Sequence, residues 1–273
     1  MTTTPSQPLP DYENPPVIEV VCGVLFKRLD TLLAPYTGLL WQKFRDTYLR
    51  CKEVSPLIPS LETFDEPPAV AFGITNVPPS PRIWFEHADG KRLLQVQRDR
   101  FLHNWKKAQP EDDYPHYGSV IEMFEDCLSL FRNFLEEECL GSIEPLQYEL
   151  TYVNHIPKGD GWKTLEDIGK VFPNFAWTSE NDHFLPGPEG INWSTTFILP
   201  NRAGRLHVSI RSAQRMRDNH PIIRLDLTAR GIGSEKTLEA MRSWFDMGHE
   251  WIVRGFADLT DQDVQKNIWR RVR

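Results

Sequence analysis

The pattern of apolar and polar residues along the chain predicts both strands and helices. Residues 17–26 are apolar on both faces of an extended strand, which is typical of a central strand in a sheet. Apolar residues recur at helical spacing within residues 32–48 and 118–139, which predicts two helices. Strand-like runs at residues 82–87 and 92–98 flank an Asp-Gly pair, so they predict a hairpin.

The second half of the chain repeats this order of elements. The predicted elements are a strand at 146–153, a short helix at 164–171, a hairpin from 193–199 and 206–210, a strand at 222–228 and a long helix at 237–256. Strand, helix, hairpin and long helix therefore occur twice, from which we infer an internal duplication. One irregular α+β domain without duplication is the alternative.

These elements predict an α+β fold in which two layers form. A mainly antiparallel sheet built from hairpins carries helices on one face, and its other face is partly open. We expect residues 1–13 to form a flexible leader, residues 14–143 the first half and residues 144–273 the second, or the two halves to form one continuous domain. The proline-rich residues 52–80 predict a covering loop with at most one short strand, at 69–74.

Composition narrows the class of protein. The 273 residues are 40% hydrophobic and 25% charged, as in ordinary globular proteins. A formal net charge of −7 argues against nonspecific coating of nucleic acid, although a local basic patch stays open. The sequence has no secretory signal pattern and no run of eighteen apolar residues, so we expect a cytoplasmic protein with no membrane contact.

Signatures of catalysis are absent from the sequence. It contains no phosphate-binding glycine loop, no nucleophile elbow and no zinc-ligand motif. The side chains closest to a metal-ligand cluster lack the spacing of a known site; they are Asp99, His103, Asp112, Asp113 and His116. We therefore expect neither a metal nor a cofactor.

The densest group of recognition side chains lies in residues 94–117, after the Asp-Gly hairpin. Arginine offers a fork for carboxylate or phosphate, and aromatic rings offer contact area at a low cost in entropy. The candidate binding residues are Arg98, Asp99, Arg100, His103, Asn104, Trp105, Tyr114, His116 and Tyr117. The alternative is that an Arg–Asp pair braces a loop while Phe101 and Trp105 fill the core.

Several short motifs are shared with a known family. They are Asn14-Pro15-Pro16-Val17, Glu19-Val20-Val21-Cys22-Gly23-Val24 with Phe26, Gln97-Arg98-Asp99-Arg100-Phe101, Asn104-Trp105, Tyr114-Pro115-x-Tyr117, and His249, Ile252, Phe256, Leu259-Thr260 and Trp269. Over nearly its whole length the chain resembles a sporadically distributed family of uncharacterised bacterial proteins. The resemblance implies a bacterial cytoplasmic protein of the kind found with defence or toxin–antitoxin systems, and it implies no activity or catalytic residue.

Taken together, these features predict a non-enzymatic binding protein, such as an accessory or immunity component of a defence or toxin–antitoxin system. Its partner is expected to be a protein or a small anionic ligand. The alternative is a hydrolase or nuclease with a dispersed acid–base or metal site. That site would use Asp99, His103 or His116, or the second-half histidines His155, His207 and His220, and it requires at least three of them to converge.

Overall fold

The computed structural model describes residues 8–64, 81–175 and 184–273, and nine strands within them form one antiparallel sheet. The strands are β1 (Val17–Phe26), β2 (Arg50–Val54), β3 (Arg82–Glu86), β4 (Arg92–Gln97), β5 (Arg100–Lys106), β6 (Pro145–Pro157), β7 (Asn192–Ile198), β8 (Arg205–Arg215) and β9 (His220–Gly231). Their order across the sheet is β2-β3-β4-β5-β1-β6-β9-β8-β7. Strands from both halves of the chain therefore share a single sheet.

The pair of strands β1 and β6 joins the two halves at the centre of the sheet. Val20 lies opposite Tyr152, and Val24 lies opposite Tyr148. On its other edge β1 pairs with β5, where Cys22 lies opposite His103. Because β1 has a neighbour on each side and is covered by helices on one face, all its apolar residues except the half-buried Ile18 and Val21 are buried.

Helices cover one face of the sheet. They are α1 (Ala34–Phe44), α2 (His116–Glu137), α3 (Met241–Leu259) and the short α4 (Gln262–Asn267). The ring of Phe131 on α2 stacks on Phe101 of β5 at 5.1 Å, and Phe245 on α3 lies 5.8 Å from Tyr148 of β6. Such aromatic pairs add roughly 0.5–1.5 kcal/mol each to the stability that burial provides.

Most predicted elements are confirmed with shifted ends. The Asp-Gly hairpin is β3 and β4, and the second hairpin is β7 and β8 with its turn at residues 200–204. The predicted short helix is the 3-10 helix Leu165–Lys170, and the last long helix is α3. The α+β class and the antiparallel sheet are therefore confirmed, while the predicted strand at 69–74 lies outside the described residues.

Two predictions about connecting segments are wrong. Residues 94–117 were expected to join the Asp-Gly hairpin to the first long helix, but Arg100–Lys106 within them is strand β5, between β4 and β1. The strand was missed because its polar residues lie on the open face and a histidine interrupts the apolar face. The second wrong prediction concerns the start of residues 52–80, which were expected to be a loop, whereas Arg50–Val54 is strand β2. This strand was missed because it lies at the edge of the sheet and is charged, so it lacks an apolar pattern.

The N-terminal segment is not a free leader where the structure describes it. Tyr12 forms an antiparallel bridge with Arg271, and the Asn14 N–H donates to the Trp269 carbonyl at 3.1 Å. The Val272 N–H donates in return to the Asp11 carbonyl at 2.8 Å. We call residues 9–14 and 269–273 the terminal clasp. The expectation of a flexible leader up to residue 13 is wrong for residues 11–13, because their backbone groups are paired with the chain's other end.

Candidate functional site

The nine candidate binding residues fall in three places. Alternate residues of a strand point to opposite faces, so β5 sends Arg100 and Asn104 to the open face and His103 and Trp105 to the helix face. Arg98 and Asp99 form the turn before β5, and the remaining three candidates lie beside the start of α2. The structure therefore separates side chains that are close in sequence.

The two arginines of the turn make hydrogen bonds within the protein. Arg98 donates from Nε to the Leu32 carbonyl at 3.0 Å. Arg100 is 5% exposed and donates from Nε to Asp99 Oδ1 at 3.1 Å. The Phe26 N–H donates to the Asp99 carbonyl at 2.9 Å, which ties this turn to the end of β1. The Arg–Asp pair thus braces the turn, as the second interpretation of the sequence predicts.

Asn104 belongs to a line of polar contacts on the open face. Its Oδ1 accepts from Gln95 Nε2 at 2.6 Å, and its Nδ2 donates to Glu19 Oε1 at 2.6 Å. These contacts connect β4, β5 and β1 across the strands. Asn104 is 4% exposed, so its amide fixes the positions of neighbouring side chains.

His103 and Trp105 lie in the core between the sheet and the helices. His103 has no exposed surface, and neither ring nitrogen has a hydrogen-bond partner among the described residues. Burial, together with the charge of Arg92, lowers the pKa of His103 to about 4. Trp105 packs on Tyr114 with ring centroids 5.4 Å apart. Phe101 also fills this core, so the second interpretation holds for both aromatic residues of β5.

The other three candidates, Tyr114, His116 and Tyr117, line one cavity of about 300 Å³. The cavity lies between the terminal clasp, the start of α2 and the middle of α3. Val17, Leu227, Ile252 and Phe256 give it apolar walls. Asp11 and Arg273 lie at its clasp side and pair with each other at 3.3 Å.

A relay of hydrogen bonds crosses one wall of this cavity. The hydroxyl of Tyr152 on β6 lies 2.8 Å from the hydroxyl of Tyr114 and 3.0 Å from Nδ1 of His249 on α3. The ring of Tyr117 stacks on the other side of this histidine, with centroids 4.0 Å apart and planes 6° apart. Two helices and one strand therefore meet at His249.

The relay is uncharged at neutral pH. Burial lowers the pKa of His249 to about 4, which leaves its ring neutral. Burial raises the pKa of Tyr114 and of Tyr152 well above the usual phenol range. The pKa of Tyr117 is raised by burial and further by its hydrogen bond to Asp246, to which its hydroxyl donates at 2.8 Å. The wall thus offers hydrogen bonds and ring faces rather than charge.

His116 enters the cavity wall through an unusual backbone conformation. Its φ is 60°, in the left-handed region that a residue other than glycine adopts at a cost of about 1–3 kcal/mol. Pro115 precedes it, and this bend allows α2 to begin beside the relay. The imidazole of His116 lies 5.6 Å from the Tyr114 ring.

The prediction from sequence missed Tyr152, His249 and Tyr12. A signal existed for the first two: Tyr152 alternates with Leu150 on the buried face of β6, and His249 interrupts the apolar stripe of α3. Tyr12 gave none, because it lies in a proline-rich segment. It donates from its hydroxyl to Gln265 Oε1 at 3.1 Å and meets Phe256 edge to face at 5.5 Å.

The residues considered for a catalytic site do not converge. Asp99 lies in the turn before β5, His103 in the core and His116 at the cavity, while His155 and His207 point to the open face. Among residues 8–64, 81–175 and 184–273, no three His, Cys, Asp or Glu side chains are grouped as metal ligands. The condition that favours a hydrolase or nuclease is therefore not met in this part of the chain.

No helix in the described part of the chain is both long and apolar enough to cross a membrane. No protein-family model, curated protein or solved structure matches the chain. A functional conclusion must therefore rest on the geometry of the site itself.

Proposed function

We propose that this chain is a non-enzymatic binding protein and that the cavity beside Tyr152 and His249 holds its ligand. The observation that carries the proposal is a hydrogen-bonded relay of two phenols and an imidazole along one wall of an otherwise apolar cavity. Small-molecule sites typically combine apolar walls with a few convergent polar groups in this way.

The free donor and acceptor atoms of the relay determine which hydrogen-bonding groups a ligand needs. When Tyr152 donates to Nδ1, the neutral ring of His249 carries its proton on Nε2 and is a donor there. Tyr114 has a second lone pair with which its oxygen can accept. A ligand with one hydrogen-bond acceptor and an apolar body matches this wall. About 300 Å³ is the lower end of ligand-site volumes, so the ligand is a compact molecule of one or two rings.

A charged ligand fits this site less well than a neutral one. The guanidinium groups of Arg98 and Arg100 suggested an anionic ligand. In the structure they donate hydrogen bonds to the Leu32 carbonyl and to Asp99. The formal charges at the cavity, those of Asp11 and Arg273, compensate each other. An anion in the cavity would lose its hydration without gaining a charged partner, at a cost of several kcal/mol.

The test uses a glycine at the edge of the cavity. Gly118 lines it, and a Cβ built there meets nothing within 4 Å, so Gly118→Phe fills the cavity without a clash at the backbone. Gly38 on α1 is equally open and lies outside the cavity, which makes Gly38→Phe a matched control.

We would measure binding of quinoline at pH 7.5, as a neutral two-ring probe with one hydrogen-bond acceptor, by calorimetry. The proposal expects saturable binding to the wild type, at least tenfold weaker binding to Gly118→Phe and binding within about twofold of the wild type to Gly38→Phe. Equal binding to all three proteins, or no saturable binding to the wild type, would place the ligand elsewhere and overturn the proposal.

We also propose that the two halves arose by duplication. Support comes from the order of the strands, since β5, β4 and β3 follow β1 outward just as β9, β8 and β7 follow β6. In each half a long helix, α2 or α3, follows the innermost of these strands. Superposition of residues 14–143 on residues 144–273 should align β1 with β6 and α2 with α3; a superposition that aligns other elements better would contradict the duplication.

We also propose a role as an accessory or immunity component of a defence or toxin–antitoxin system, and only the resemblance to the bacterial family supports it. It predicts that deletion of the gene changes survival under phage or toxin challenge. Unchanged survival in both challenges would remove this role and leave the binding function in place.

A further inference from the structure

One face of the nine-stranded sheet, which we call the open face, carries no helix from residues 8–64, 81–175 or 184–273. Residues opposite each other in a sheet share a face, so the strand register assigns its members. From β2 to β8 its basic residues are Arg50, Lys52, Arg82, Arg100, Lys106, Arg205, Arg211, Arg215, Arg224 and Arg230. Its carboxylates are Glu19, Glu86, Glu149 and Asp226.

Ten basic residues therefore share this face with four carboxylates, in a chain whose net charge is −7. The excess is concentrated at two places. Arg50 and Lys52 both pair with Glu86, at 3.2 and 2.8 Å. Arg211 and Arg224 both pair with Asp226, at 3.4 and 2.7 Å. In each place one carboxylate compensates only part of the charge of its two partners.

Lys106 adds to the first of these places. The hydrogen bond from Lys52 lowers the pKa of Glu86, and the charges of Arg50 and Lys106 lower it further. Three cations thus act on one carboxylate. Lys106 is exposed and lies on β5, near the middle of the sheet, so it extends the positive potential toward Arg211 and Arg224.

Part of the open face is already covered by an extended segment of the chain, residues 56–64, which we call the strap. Two side-chain amides of the sheet bind its backbone. Gln97 accepts from the Leu57 N–H at 2.9 Å and donates to the Leu57 carbonyl at 3.1 Å. Gln147 accepts from the Glu62 N–H at 2.8 Å and donates to the Ser60 carbonyl at 2.9 Å.

Side chains of the strap show which chemistry this face accepts. Glu62 receives Nη1 of Arg205 and Nε2 of His207, both at 2.6 Å. Burial alone would raise the pKa of Glu62, but these hydrogen bonds outweigh it and the pKa is lowered. The guanidinium groups of Arg202 and Arg205 lie 4.7 and 4.2 Å from the ring centroid of Phe64. An extended peptide with an acidic and an aromatic side chain is therefore a ligand of the open face.

The part of the face that the described residues leave uncovered offers two of the same components. Trp84 supplies a ring, and Lys106, Arg211 and Arg224 supply charge. We propose that this part docks an extended acidic segment of a partner protein. Seven strand spacings separate β2 from β8, or about 34 Å, which about ten extended residues can span.

A peptide is favoured over single-stranded nucleic acid by two features of the face. Single-strand binding surfaces stack successive bases on several aromatic rings. Among the described strand residues that the register places on the open face, Trp84 is the aromatic one, and the guanidinium of Arg82 lies 5.4 Å from its ring centroid. Side-chain amides that bind a peptide backbone from both sides are present instead.

The test measures fluorescence anisotropy with labelled probes. The probes are a ten-residue peptide of glutamates with one phenylalanine, the same peptide with lysines for glutamates, and a ten-nucleotide oligothymidylate. The variant combines Lys106→Glu with Arg211→Glu, both at exposed positions of the open face. The control combines Arg132→Glu with Lys266→Glu, which changes the net charge equally at exposed positions on the helices.

The acidic peptide should bind the wild type and the control within about twofold of each other, and the open-face variant at least tenfold more weakly. Amide NMR shifts on binding should cluster at Asn104, Thr151 and Thr228, which lie in one row across the open face. An equal loss of binding in the control, equal binding of the lysine peptide, or shifts confined to the helices would overturn the proposal. Tighter binding of oligothymidylate than of the acidic peptide would replace the peptide with nucleic acid as the occupant.

Discussion

The ring of Tyr117 lies flat on the imidazole of His249, with planes 6° apart. Tyr117 is in the first turn of α2 and His249 is in the middle of α3, so this contact joins the two long helices at the cavity. Nδ1 of the same histidine shares a hydrogen bond with the hydroxyl of Tyr152 on β6. The position of His249 on α3 therefore depends on contacts from two other elements, α2 and β6.

Truncation of Tyr117 should separate the helices at this point. Tyr117→Ala removes the stack and the buried ring, so we expect the free energy of unfolding to fall by about 1–3 kcal/mol. Tyr117→Phe keeps the stack and loses the hydrogen bond to Asp246 near the surface, so its loss should stay below about 1 kcal/mol. Urea unfolding of both variants measures the difference, and equal losses would show that the stack contributes nothing.

Removal of one oxygen should disturb the relay without changing the packing. Tyr152→Phe leaves Tyr114 and His249 facing a ring carbon, so a buried polar atom loses its partner at a cost of about 1–3 kcal/mol. Tyr36→Phe on α1 is a control of the same chemistry away from the relay. Quinoline binding should weaken in Tyr152→Phe and not in Tyr36→Phe, because the Tyr152 hydroxyl orients the His249 donor toward the quinoline nitrogen. Equal binding constants would remove the relay from the site.

The buried His103 should make the protein sensitive to acid. Its pKa is about 4 in the folded protein and about 6.5 when unfolded, so below pH 6.5 the unfolded chain binds more protons than the folded one. Stability is therefore fully present above pH 6.5 and is lost as the pH falls toward 4. At pH 5 this histidine alone accounts for a loss of about 2 kcal/mol.

The variant His103→Leu tests this assignment. Since neither ring nitrogen is hydrogen bonded, leucine should change the free energy of unfolding at pH 7.5 by less than about 1 kcal/mol. Between pH 7.5 and pH 5 the variant should lose about 2 kcal/mol less than the wild type, with the remaining loss due to His155 and His249, whose pKa values are also lowered to about 4. If the free energy of unfolding falls equally in the two proteins between pH 7.5 and pH 5, His103 is not the source of the acid sensitivity.

The sequence predicted those parts of the fold that local patterns determine. The Asp-Gly turn specified the β3–β4 hairpin, and helical spacing placed α2 within two residues at each end. Strand β5 was missed because Asn104 and His103 make both of its faces look polar. Asn104 joins the polar contacts of the open face, and His103 is buried with no hydrogen-bond partner among the residues that the structure describes. Neither arrangement has a signal in the local sequence.

The candidate site was predicted in part for the same reason. Tyr114, His116 and Tyr117 were found because they are adjacent in sequence, and the cavity brings them together. Their partners Tyr152 and His249 come from β6 and α3, and long-range pairing of β1 with β6 is what places them there. Arg98 and Arg100 looked like ligand-binding groups until the structure placed their acceptors, Leu32 and Asp99, within the protein.

The most direct measurement is native mass spectrometry of the protein isolated gently from the organism that encodes it. The wild type and Gly38→Phe should each carry one small neutral molecule of one or two rings, and Gly118→Phe should be free of it, because its phenyl ring occupies the cavity. The same bound mass on Gly118→Phe, or no bound mass on the wild type, would contradict a ligand site at Tyr152 and His249.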